Sequence, residues 1–397
     1  MGALSHIKVL DLSRVLAGPW ASQILADLGA EVIKIESPER GDDTRSWGPP
    51  FLQDETGQDT QESAYFLCTN RGKQSVCVDL KSEQGQETVR ALADQCDVVL
   101  ENFKVGGAAK FGLDYETLAS RNPRLVYCSI TGFGQTGPAK HRPGYDFLVQ
   151  AMGGLMSVTG QPDGEAGAGP QKVGVALTDI MTGLYAVIGI MAALTERELS
   201  GEGQSVDLAL LDVTAATLAN QASNYLVGGV VPGRLGNAHP NIVPYQSFVA
   251  ADGHLIVAVG NDGQFARFVD ELGSPELAED GRFITNAARV KNRDSLVPLL
   301  QARMLERSKA EWLAALEAAD VPAGPINKID EVFAEPQLQS RGMQVNLAHP
   351  DNPELQVVGN PIKLSRTPVE YRRPPPKLGE HTDAVLASLT QVATDTV

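Results

Sequence analysis

The sequence predicts an α/β protein built from a large, doubly wound, Rossmann-like domain and a smaller α+β domain. Three observations carry that expectation. Short, continuous apolar runs rich in β-branched residues recur as far as Ile130, as strands buried on both faces of a parallel sheet require. Helix-period segments lie between most of them. Beyond residue 205 the pattern changes to clustered helices around a single hairpin signal. The expected division is residues 1–205, completed by 335–397, for the large domain and 206–334 for the smaller one. At 397 residues the chain exceeds one ordinary domain of roughly 100 to 200 residues.

Taken in order, strands are expected at Ile7–Leu12, Glu31–Ile35, Ser75–Leu80, Asp97–Glu101 and Leu125–Ile130. Helices are expected between them at Pro19–Leu28, closed by Gly29, at Ser82–Gln95 and at Tyr115–Arg121. In the smaller domain the periodicity predicts helices over Leu211–Leu226, Gln264–Leu272 and Ser295–Ala319, and a hairpin turning at Asp252-Gly253. The tail, with Pro374-Pro375-Pro376 and a short periodic segment at Asp383–Leu389, is expected to wrap back over the first domain.

Composition narrows the partners. A formal net charge of -16 repels phosphate backbones and anionic lipid, so neither nucleic acid nor a membrane is expected as a partner. The four cysteines show no CxxC or CxH spacing and read as small buried hydrophobes in a reducing, cytoplasmic setting, with neither a disulfide framework nor a metal site. No apolar signal region precedes the first strand, and His6 stands where a myristoylation motif needs Ser or Thr. The most apolar stretch, Ile180–Leu194, is shorter than a span of about 20 residues and reads as a core helix.

In an open α/β sheet a ligand lies outside the carboxyl ends of the strands. The loops expected there hold Arg14, Arg40, Arg45, Lys81, Lys104, Lys140 and Arg142, with Lys110 close behind. Such a cluster in an acidic protein suits an anionic, phosphorylated ligand; solvated surface cations would look the same. Gly132-Phe133-Gly134-Gln135-Thr136-Gly137 matches the dinucleotide fingerprint letter by letter, but Pro138 and Pro143 follow where a helix should open, so a structural or ligand-covering loop is expected. Asp179 precedes apolar positions at helical spacing, which puts it at or next to an N-cap. It is either a capping carboxylate or a nucleophile kept ionised by the helix terminus, and the residues alone leave both open.

Several separated motifs, in order, identify a resemblance. They are Val9-Leu10-Asp11-Leu12 leading into Ala17-Gly18-Pro19, Leu28-Gly29-Ala30-Glu31-Val32-Ile33-Lys34-Ile35-Glu36, Val99-Leu100-Glu101-Asn102-Phe103, Gly144-Tyr145-Asp146 and Leu177-Thr178-Asp179 with Thr182-Gly183. With them the chain resembles the family III CoA-transferases over essentially its whole length. The resemblance implies that Asp179 is the nucleophile, attacking an acyl-CoA thioester to give a mixed anhydride and then an aspartyl-CoA thioester. It implies CoA contacts from Leu16 and Ala17, from Val78 to Lys81, from Asn102, Phe103 and Lys104, and from Arg142 to Tyr145. Ser37 departs from an arginine that some members place beside the adenine, for which Arg40 can compensate; Lys110 replaces another arginine and lacks its bidentate fork.

Coenzyme A and its thioesters are then substrates, with no permanently bound cofactor, and the family's interlocked homodimer is implied. Oxyanion donors are expected from the glycine loops Gly134–Gly137 or Gly260–Gly263. A racemase branch of the family pairs the aspartate with a histidine where this chain has Tyr145, so transfer is the implied reaction and racemisation the alternative. A non-catalytic nucleotide-binding protein is the reading if Asp179 is only a cap. Further likeness, at Tyr127–Gly132, Gly236–Pro240, Ile242–Gln246, Gly324–Asn327 and Val332–Gln337, implies succinyl-CoA as donor and a dicarboxylate such as glutarate as acceptor. Arg234, His239 or Arg45 could meet the far carboxylate.

Overall fold

A computed structural model describes residues 2–395. They form two compact units, one from the chain up to Leu155, Val173–Ala222 and the chain from Pro336, the other from Met156–Lys172 and Ser223–Glu335.

In the first unit the chain runs through β1 (Lys8–Asp11), α1 (Ala17–Asp27), β2 (Glu31–Glu36), a hairpin of β3 (Phe51–Gln53) and β4 (Asp59–Ser63), α2 (Ala64–Leu67), β5 (Lys73–Cys77), α3 (Glu83–Ala93), β6 (Val98–Glu101), α4 (Tyr115–Arg121), β7 (Val126–Thr131), α5 (Asp146–Met152), α6 (Leu177–Ser200), β8 (Ser205–Ala209) and α7 (Leu210–Thr217). The central sheet has six strands in the order β5-β2-β1-β6-β7-β8. Every pairing in it is parallel, with Leu10 opposite both Ile33 and Val99. The strands are continuously apolar because alternate residues serve two different layers. Val9, Val32, Val98 and Val126 pack with Leu25 of α1 and Ala186 and Ile190 of α6. Leu10, Ile33, Val76 and Val99 pack on the opposite face with Val89 and Leu92 of α3 and Val385 of the C-terminal helix Thr382–Asp395.

Several elements differ from the sequence expectation. The edge strand β8 escaped detection because Ser205 and Asp207 are exposed and break the apolar run, and the expected domain boundary at 205/206 runs through it. The segment expected as one helix over Leu211–Leu226 is two, α7 and α8 (Ala219–Gly228), divided where Ala219 takes a φ of 45°. Helix α6 extends to 24 residues, long and apolar enough by length and composition to cross a membrane, whereas the expected stretch was too short. Its Ala186, Ile190, Ala193 and Leu194 are nevertheless packed into the core, while Leu184, Tyr185 and Ile188 are exposed. Of the cysteines, only Cys96 and Cys128 are buried; Cys68 is exposed and Cys77 intermediate, because both lie past the ends of their elements or at a sheet margin.

The second unit carries an antiparallel sheet of β9 (Tyr245–Ala250), β10 (Gly253–Ala258) and β11 (Ala323–Pro325), with the β9–β10 turn at Ala251-Asp252 and Gly253 at a φ of 140°. Phe248, Leu255, Val257, Phe265, Phe268, Leu300 and Trp312 fill its core. The helix expected over Ser295–Ala319 is interrupted, as Arg293–Met304 and Lys309–Ala318, where Ser308 and Glu311 form a capping box that starts the second. The tail also carries a hairpin not expected from its sequence, β12 (Gln344–His349) with β13 (Asn352–Val358).

Candidate active site

Strand order reverses between β1 and β6: the chain winds from β1 outward to β2 and β5, then returns to build β6, β7 and β8 on the other side. The crevice outside the carboxyl ends of β1 and β6 is therefore the topological switch point, where such sheets receive ligands. The two loops that flank it are bonded together. Arg14 donates its backbone N–H to Asn102 Oδ1 at 2.9 Å, and Asn102 Nδ2 donates to the Arg14 carbonyl at 2.7 Å.

Because all six strands are parallel, the residues implied as CoA contacts emerge on this same edge. Leu16 and Ala17 are buried at the start of α1. Val78 continues β5, its N–H donating to the Glu36 carbonyl at 3.0 Å, and the N–H of Lys81 donates to Asp79 in the turn that follows. The N–H of Phe103 donates to the buried Glu101 carboxylate at 2.7 Å. Burial, and then the charge of Asp207, pushes that carboxyl up to about 7. Arg142 lies over the Phe133 ring, and Tyr145, exposed, is the N-cap of α5. Arg40, Lys81, Lys104 and Lys110 are exposed, and no ion pair among the described residues engages them. Two members of the basic cluster are occupied otherwise: Arg14 pairs with Asp43, and Arg45 is buried between Glu36 and Glu62.

The glycine loop after β7 is not a dinucleotide fingerprint. No helix opens at Gly137; α5 begins only at Asp146. Gly132 is required for another reason. A Cβ there would lie 2.4 Å from the Gly144 Cα, and one on Gly144 would lie 2.1 Å from the Gly132 Cα. This backbone contact sets where Tyr145 and Asp146 enter α5. The amides nominated as oxyanion donors are partly engaged: Gly134 N–H donates to Thr131 Oγ1 at 2.8 Å, Gln135 N–H to Asp207 at 3.0 Å, and Gly260 N–H to Gln264 Oε1 at 2.7 Å.

Asp179 departs from the expected geometry. The N-cap of α6 is Ala176, without a side-chain cap, and Asp179 is the third residue of the helix. Capping is done by Asp146 from α5, whose Oδ2 accepts the N–H of Thr178 at 2.9 Å and of Asp179 at 3.3 Å, while Oδ1 accepts Gln150 Nε2 at 2.7 Å. The Asp179 carboxylate itself accepts no hydrogen bond among the described residues. Burial, and then the Asp146 charge, pushes it up to about 7, where a helix terminus alone was expected to hold it low. Tyr65 of α2 is a member of the site that the sequence did not reveal. It is close enough to Asp179 for that charge, after burial, to push its phenol up to about 12, and it packs edge-on against Trp47 at 5.2 Å. No spacing rule singles out a tyrosine on a four-residue helix. One turn beyond Asp179, a Cβ on Gly183 would lie 2.7 Å from the Ala17 carbonyl, so the end of the first loop, where α1 begins, lies directly on the helix that carries the carboxylate.

The cations expected for a far carboxylate separate clearly. Arg45 is enclosed and fully bonded. In the second unit Arg234 donates to the Gln161 carbonyl and pairs with Asp163, and His239 Nδ1 accepts the Asn241 N–H while its ring packs on Tyr245.

The family model described as CoA-transferase family III matches residues 4–382. The chain is 54% identical over 389 residues to a succinate–glutarate CoA-transferase of Agrobacterium fabrum, covering 98% of this chain and 96% of that protein. It is 44% identical to a succinyl-CoA:glutarate CoA-transferase of Homo sapiens, covering 96% and 85%. A crystal structure of a CaiB/BaiF family protein from Brucella suis superposes with a TM-score of 0.86 at 51% identity, covering 98% of this chain and 99% of that one.

Proposed function

The chain belongs to CoA-transferase family III, and we propose that it moves coenzyme A from succinyl-CoA to glutarate with Asp179 as the covalent nucleophile. The observation that carries the role of Asp179 is a half-buried carboxylate beside a second carboxylate, without a cation or a hydrogen-bond donor among the described residues and without a capping duty. A carboxylate with a raised pKa, open to a crevice and not committed to a structural bond, is suited to chemistry.

In the reaction, Asp179 Oδ attacks the thioester carbonyl carbon, the C–S bond breaks, and CoA leaves as thiolate. The thiolate then attacks the Asp179 acyl carbon of the mixed anhydride and expels succinate, leaving an aspartyl-CoA thioester. Glutarate attacks that thioester, and the released thiolate takes the glutaryl group, which regenerates the Asp179 carboxylate. Every partner is a carboxylate or a thiolate, so the steps are nearly balanced and one hard exchange is divided into easier ones. Arg40, Lys81, Lys104 and Lys110 offer charge to the phosphates of CoA, with Leu16, Ala17, Val78, Asn102, Phe103, Arg142 and Tyr145 completing its binding edge. A neutral Tyr65 phenol beside Asp179 suits it to donate to a developing oxyanion.

The nucleophile must be ionised, so kcat/KM rises with pH through about 7 and levels above it. In Asp146→Asn the neighbouring negative charge is gone, ionisation is easier, and the limb moves to lower pH. Parallel pH profiles of the two proteins check this, and an unmoved limb contradicts the assignment.

A homodimer, interlocked as in the family, accompanies this reading. The exposed Leu184, Tyr185 and Ile188 of α6, and Tyr225, Leu226, Val227, Val230 and Val231 farther on, are apolar surface that a second copy would cover. The free thiols and acidic surface suit the cytoplasm. The assignment is tested with succinyl-CoA and a panel of glutarate, oxalate and carnitine, with the CoA products separated by mass. Glutaryl-CoA is the expected main product; turnover of oxalate or carnitine without glutarate overturns it.

A further inference from the structure

Beneath the first loop lies a group of four charges that the transfer chemistry does not use. Asp11, Lys34, Asp42 and Lys73 are all buried, at 0%, 0%, 1% and 0% exposure. Three of them bond the backbone of the loop that leads from β1 into α1, and Lys73 bonds the first turn of α1. Asp11 Oδ1 accepts the Ser13 N–H at 2.8 Å, and Asp42 accepts the Val15 N–H at 3.2 Å. Lys34 Nζ donates to the Ser13 carbonyl at 2.8 Å and to Asp42 at 2.9 Å. Lys73 Nζ donates to the Pro19 carbonyl at 3.0 Å, to Asn70 at 2.8 Å and to Asp11 at 3.3 Å.

Burying two ion pairs is a poor way to gain stability, since well-packed apolar side chains often do as well or better. What the charges supply is direction, because each holds a particular backbone atom in place. The conformation they hold needs holding. Val15 has a φ of 73°, a region a β-branched residue rarely occupies unless its surroundings impose it. Two residues later the Ala17 carbonyl lies where a Cβ on Gly183 would be only 2.7 Å away, on the turn of α6 that follows Asp179.

We propose that Asp11, Lys34, Asp42 and Lys73 are positioning residues for the transfer reaction, fixing the Ser13–Ala17 backbone as a rigid wall against the helix that carries Asp179. The inference rests on the assignment of Asp179 as nucleophile and of CoA to this edge of the sheet. A wall held at one position places the thioester carbonyl within reach of the carboxylate, and small misplacements of reacting groups slow such steps steeply.

Val15→Gly tests this without touching any charge. Glycine accepts the left-handed conformation without strain, so the variant keeps or raises its melting temperature, yet it releases the loop to other conformations. The expected result is a kcat for glutarate lowered on the order of 10- to 100-fold, with KM for both substrates changed much less. A role in stability alone predicts wild-type kcat, and that result overturns the proposal. The double variant Lys34→Met/Asp42→Ala removes two anchors as a pair; if it folds and transfers at the wild-type kcat, the proposal is equally overturned. A wild-type protein that transfers CoA to no acid in the panel removes the transferase reading and the positioning role together, whereas an active wild type with an unaffected Val15→Gly removes only the latter.

Discussion

Asp179→Ala folds, binds acyl-CoA and loses transfer by on the order of 10,000-fold or more, because it removes the carboxyl group through which the acyl and CoA groups are exchanged. The fold does not depend on this side chain. Asp146 caps α6, and among the described residues the Asp179 carboxylate holds no hydrogen-bond partner that its loss would strand. Its linkage to stability has a definite sign. A carboxyl pushed up to about 7 in the folded protein, against an unfolded value near 3.8, keeps a proton that the unfolded chain has lost, so stability falls as pH rises through that window. At pH 8 the wild type carries that full destabilisation and Asp179→Ala does not. The variant therefore melts no lower than the wild type at pH 8. Melting curves and a transfer assay on one preparation check both parts, and a variant that loses activity by unfolding contradicts the account.

Arg45→Met has the opposite profile and is the largest expected effect on stability. The Arg45 guanidinium is bonded to Glu36 through Nε and Nη2, each at 2.8 Å, and to both oxygens of Glu62 through Nη1, at 2.9 and 2.8 Å. It also donates to the Pro376 carbonyl and lies 3.7 Å over the Phe66 ring. Methionine can replace the stem but leaves two buried carboxylates without the guanidinium that bonds both. Breaking a buried pair from one side costs about 3 to 5 kcal/mol, a large part of an ordinary domain's stability. Chemical denaturation measures it, and a loss below about 1 kcal/mol, as for a surface pair, contradicts the description of this network.

The fold was legible in the sequence wherever a strand is buried on both faces. Val9, Leu10, Ile33, Val98 and Val99 have to be apolar because each serves one of two helical layers. Ser205–Ala209 was not legible, because an edge strand can keep Ser205 and Asp207 in solvent. The site was legible in outline. Parallel strands bring their carboxyl ends to one edge whatever the side chains, so the loops from Leu16 to Tyr145 could be gathered in advance. What one sequence does not carry is long-range pairing. Asp146 caps a helix 31 residues further on and Tyr65 approaches Asp179 from across the fold, while Arg45, which looked like an available cation, is enclosed by Glu36 and Glu62. The position of Asp179 near a helix start is visible in the sequence, but not the burial and then the neighbouring negative charge that raise its pKa instead of lowering it.

The central claim is that Asp179 becomes covalently acylated, and it can be tested directly. The protein is incubated with succinyl-CoA in the absence of glutarate, quenched with hydroxylamine, digested and analysed by mass spectrometry. The account predicts a hydroxamate on Asp179, absent when CoA replaces the thioester and absent in Asp179→Ala. A hydroxamate on another residue, or an unmodified Asp179 in protein that transfers CoA when glutarate is added, would contradict it.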